Sequence, residues 1–87
     1  MSRNAEKAAA MIQRAIAEVG KSAYPSSEYV LGMVEAMYHM GHIGEDQQMA
    51  YTQASFDAVA GRRQMLRQEE AQQRYEQALE RIERRAA

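Results

Sequence analysis

The sequence contains no cysteine and no tryptophan, and only one phenylalanine and one proline in 87 residues. Without cysteine the chain can form no disulfide framework, no thiolate metal site and no cysteine nucleophile. It also lacks a dominant charge. A formal net charge of −1 excludes the general basic character of a protein that coats nucleic acid or an acidic membrane. The opening "MSRNAEKAAAMIQRAIAEVG" holds no apolar run of signal-peptide kind, and no run anywhere approaches transmembrane length. A soluble, cytoplasmic protein with no membrane partner is the expectation. β-branched residues are scarce, and no stretch alternates as a strand does.

What is present is Ala, Met, Gln, Glu and Arg, all good helix formers, within a composition that is 46% hydrophobic but 7% aromatic. This predicts an all-α fold in one domain, residues 1–87. At such a length a single core is marginally sufficient, so oligomerisation is a natural way to bury more surface.

Three helices are expected, over about 4–20, 27–40 and 45–85. Asn4 is placed to cap the first, and Ala8, Met11, Ile12, Ala15, Ile16 and Val19 follow on one stripe. Gly20 then closes it. "KSAYPSS" reads as a loop, because Pro25 biases Tyr24 away from helical angles. The second helix is apolar on more than one side and should be the most buried. Gly41 ends it as Gly20 ends the first.

The third helix starts after Gly44, with Glu45 and Asp46 against its positive dipole end and Gln47 in the reciprocal capping position. Met49, Phe56, Val59 and Leu66 suggest a seam, with Val34 and Met37 facing Phe56 and Met49 across a central antiparallel helical hairpin. Gly61 permits either a bend or a straight helix. Beyond it, residues 67–87 form a polar helical arm, supported by Glu70–Arg74 and Glu80–Arg84 at four-residue spacing. Tyr75, Leu79 and Ile82 restore an apolar stripe there. No fixed-period repeat is read in the chain. The short core and polar arm together favour a homodimer in which apolar stripes from two chains complete one helical bundle.

Candidate sites are few. His39 and His42, with Glu35, Glu45 and Asp46 nearby, would suit a divalent metal on a continuous helix. Gly41 and Gly44 interrupt that helix, and the spacing fits neither a zinc-protease signature nor a carboxylate-bridged bundle site. His39 is therefore read as lying on a polar face and His42 as exposed at the turn, with no metal and no cofactor. Met33, Met37 and Met40 line one side of the second helix, as core filler or as an adaptable contact surface. Arg62, Arg63 and Arg67 make a positive patch that could meet phosphate or an acidic partner, without aromatic rings interleaved to stack on bases.

The second and third helices do not suit a DNA-reading helix-turn-helix, because the candidate recognition helix opens "EDQQ". No phosphate loop, nucleophile elbow or base-partnered serine is present, so no enzymatic activity is expected.

The leading class is thus a non-enzymatic interaction or regulatory module that binds an unidentified protein as well as itself. The partner-binding residues would be Arg62, Arg63, Arg67, Tyr75, Leu79, Ile82, Met33, Met37 and His42. In size and helix layout the chain is similar to small hairpin proteins of bacteriophages and mobile elements, which bind and inhibit or redirect host factors. That resemblance implies a host protein as partner. The alternative is a dimeric DNA-binding transcriptional regulator displaying two arginine patches.

Overall fold

The computed structural model describes residues 3–86. The fold is all-α, with α1 at Arg3–Val19, α2 at Glu28–His39 and α3 at Glu45–Ala86; no strand occurs among the described residues. All three helices touch one another, but the molecule is elongated, with principal extents of 69 × 18 × 15 Å. A 42-residue helix is about 63 Å long at 1.5 Å per residue, so α3 alone sets the long axis. Its first half belongs to a three-helix head. Its second half projects as an arm on which every residue from 67 to 86 is exposed.

The head core is small and built from slim side chains. α1 contributes Ala8, Ile12, Ala15 and Val19 at steps of four, three and four, one stripe of a 3.6-residue helix. α2 adds Val30 and Val34, the turn adds Ile43, and α3 adds Ser55 and Val59. Ser55 is fully buried and its hydroxyl donates to the Thr52 carbonyl at 3.0 Å, so no polar atom is stranded there. The two alanines and the serine have no bulk beyond Cβ or Oγ, which lets the helices lie close.

Two expectations about packing are corrected. α1, rather than α2, supplies the largest share of buried positions, four of nine against two, and Tyr29 of α2 and Met40 just after it are 72% and 57% exposed. Met49 and Phe56 do not face Val34 and Met37: they are 66% and 47% exposed. The inward face of α3 runs instead through Thr52, Ser55, Val59, Arg62 and Leu66. Phe56 lies about 100° round the helix from Ser55. That face is centred between Ser55 and Val59, which leaves Phe56 at its edge.

The breaks between helices have local causes. α2 ends in a Schellman turn: Gly41 N–H donates to Tyr38 O at 3.0 Å and His42 N–H to Met37 O at 2.9 Å. The residue in between must be left-handed, and Gly41 has φ of 77°. Gly20 does not act in this way, since Gly41 alone among the described residues has positive φ. Asn4 lies inside α1 rather than capping it, and the residue preceding the helix falls outside the described residues. At the start of α3, Gly44 N–H donates to Gln47 Oε1 at 3.0 Å, half of a capping box. Ser26 takes the N–H of Glu28 at 3.2 Å at the start of α2. α3 passes through Gly61 unbroken.

Candidate functional site: a methionine- and tyrosine-lined groove between α1 and α2

The stripe that buries Ala8, Ile12 and Ala15 leaves Met11 at the edge of α1, 45% exposed. On α2 the core positions Val30 and Val34 leave Met33 and Met37, each three residues on, half-buried. Between these edges run three open depressions. The first, of about 180 Å³, is lined by Asn4, Lys7, Met11, Met37, Met40 and His42. The second, of about 220 Å³, is lined by Met11, Arg14, Glu18, Tyr29 and Met33. The third, of about 250 Å³, continues over Val19 to Tyr24 and Tyr29.

Neighbouring depressions share Met11, then Ala15, Glu18 and Tyr29, so together they form one groove along α1. At 17 residues that helix spans about 25 Å. The floor is apolar and the walls are mostly thioether and phenol. Tyr24 and Tyr29 stand 90% and 72% exposed at one end, and on the rim the cations Lys7 and Arg14 are set against one acid, Glu18.

Of the residues expected to bind a partner, Met33, Met37 and His42 come together here. His42 is half-buried rather than exposed. The Schellman turn puts it one position beyond Gly41, where it lines the same depression as Met37, and contact between those two positions commonly accompanies the turn. His39 points elsewhere, with its Nε2 3.6 Å from Glu35 and both side chains more than two-thirds exposed. Its ring also meets Tyr38 edge-on at 5.5 Å. Among the described residues no three His, Asp or Glu side chains are grouped to hold a metal ion.

The arginines separate. Arg62 is half-buried and its Nε donates to the Ser22 carbonyl at 2.9 Å, tying α3 to the loop after α1. Arg63 and Arg67 remain exposed on α3. Tyr75, Leu79 and Ile82 lie together on the arm, 60%, 39% and 63% exposed. Sequence reasoning missed Met11, Tyr24 and Tyr29 as site residues, while Met40 was read with Met33 and Met37 as core or contact surface. The signal available was the pair of tyrosines bracketing Pro25, which look like loop residues until α1 is laid beside them. No described helix is long and apolar enough to cross a membrane. No family model, curated protein or solved structure matches the chain.

Proposed function

We propose that the protein is a non-enzymatic interaction module that binds an amphipathic helix of a partner protein in the groove between α1 and α2. The carrying observation is the continuity of the groove from His42 to Tyr24, with Met11 and Tyr29 each shared by adjoining depressions. An amphipathic helix presents apolar anchors at i, i+3, i+4 and i+7 to such a groove. Methionine side chains adapt to varied apolar shapes, and exposed tyrosines are common hot-spot anchors. Lys7 and Arg14 on the rim favour acidic residues flanking the partner's apolar face.

In this reading the helical hairpin of α2 and the first half of α3 is the platform that holds α2 against α1. Regulation or inhibition follows from occupying a helix that the partner uses elsewhere, the mode implied by the likeness to phage and mobile-element proteins.

The test is capture from the native host with the wild-type chain and with Tyr29→Asp, a substitution at an exposed site that should leave the melting temperature unchanged. The expected result is a partner whose affinity falls at least tenfold with the variant, equivalent to about 1.4 kcal/mol. Equal capture by both chains would place the contact off the groove.

A further inference from the structure

The arm carries a seven-residue repeat: "RQEEAQQ", "RYEQALE" and "RIERRAA", residues 67–87. Arg67, Arg74 and Arg81 occupy its first position, and Glu69, Glu76 and Glu83 its third. The period is confined to the arm and corrects the expectation of no fixed-period repeat for that segment alone. A sustained heptad is the period at which one helix keeps a fixed seam toward another.

Written as a coiled-coil register, Met65, Gln72 and Leu79 fall at a and Gln68, Tyr75 and Ile82 at d. Glu69, Glu76 and Glu83 are then at e, Ala71, Ala78 and Arg85 at g, and Arg67, Arg74 and Arg81 at c. This seam does not serve the head. Counting 3.6 residues per turn from Leu66, the last half-buried residue of α3, Tyr75, Leu79 and Ile82 lie about 160° to 220° round the helix. The arm stripe therefore points away from α1 and α2, and no described residue covers it.

We propose that a second copy of this chain covers it, with the two arms parallel and in register. Two features of the arm select that occupant and orientation. In a parallel pair the e side of one helix faces the g side of the other. Glu76 and Glu83 then meet the partner's small Ala71 and Ala78, with its arginine column just beyond them. In an antiparallel pair e faces e, and the three glutamates oppose three glutamates. The seam is also uneven along its length, with Gln68 and Gln72 early and Tyr75, Leu79 and Ile82 late. Parallel pairing matches glutamine with glutamine and apolar with apolar. Antiparallel pairing about the middle of the arm, where a positions face d positions, sets Ile82 against Gln72. This interface is independent of the α1–α2 groove and leaves it open in both copies.

The native absence of cysteine supplies a clean test. Single substitutions Gln72→Cys and Ile82→Cys, both at exposed positions, are oxidised separately and as a mixture. Parallel pairing predicts that each variant crosslinks to itself and that the mixture gives no Gln72→Cys to Ile82→Cys heterodimer. Predominance of the heterodimer would overturn the orientation.

Sedimentation equilibrium of the unmodified chain up to hundreds of micromolar should show a dimer, lost in Leu79→Asp while the helical head keeps its melting temperature. A monomer throughout, or a dimer untouched by Leu79→Asp, would overturn the interface. Loss of the dimer with Tyr29→Asp but not with Leu79→Asp would move self-association to the groove and overturn it as well.

Discussion

At the scale of single residues, the glycines separate two kinds of position that look alike in the sequence. Gly32 sits inside α2 with nothing within 4 Å of a Cβ built on it. Gly32→Ala should raise stability by about 0.5–1 kcal/mol, the difference in helix propensity. Gly41 has equally open surroundings but a φ of 77°, so Gly41→Ala should lower stability by about 1 kcal/mol or more through strain. Denaturant melts of the two variants, moving in opposite directions, check this. Ser55 makes the complementary point about volume. It is fully buried between slim neighbours, and Ser55→Leu should cost about 1–3 kcal/mol by overpacking. A smaller loss would mean that the helices separate more readily than the geometry implies.

At the scale of elements, what was legible from the sequence was punctuation. Pro25, Gly41 and the acidic opening of α3 mark helix ends through strictly local chemistry, so no knowledge of packing is needed to read them. The inward face of α3 was not legible, because its apolar residues point in several directions: Met49 and Phe56 outward, Val59 and Leu66 inward, Tyr75 and Leu79 outward again. Choosing among them depends on where α1 lies, and that is a tertiary fact. The groove was half legible for the same reason, with Met33 and Met37 recognisable on α2 while Met11 and Tyr29 gain meaning only when α1 is alongside. Arg62 likewise looked like one of three surface arginines, yet it fastens α3 to the Ser22 carbonyl. Arg62→Ala should free the 20–27 loop, and limited proteolysis there should speed up several-fold. Arg63→Ala should have no such effect.

At the scale of the whole molecule, shape and association are linked. The radius of gyration is 19.5 Å, against about 12 Å for a compact chain of this length. The excess comes from the arm. Two chains joined along parallel arms keep both heads at one end, so the longest dimension stays near the 69 Å of one chain. Antiparallel arms overlapping over their 20 exposed residues would place the heads at opposite ends and stretch the dimer to about 110 Å. Small-angle X-ray scattering of the dimer distinguishes the two. The resulting object would carry two identical grooves on a common stalk, and a partner with two suitable helices would gain affinity from engaging both.

The central claim is that the α1–α2 groove receives a partner helix, and the methionine methyl groups report on it directly. With methyl-labelled methionine, titration with the helical segment of a captured partner should shift Met11, Met33, Met37 and Met40, leaving Met49 and Met65 unchanged. Shifts confined to Met49 and Met65, or none at all under saturating binding, would contradict the account.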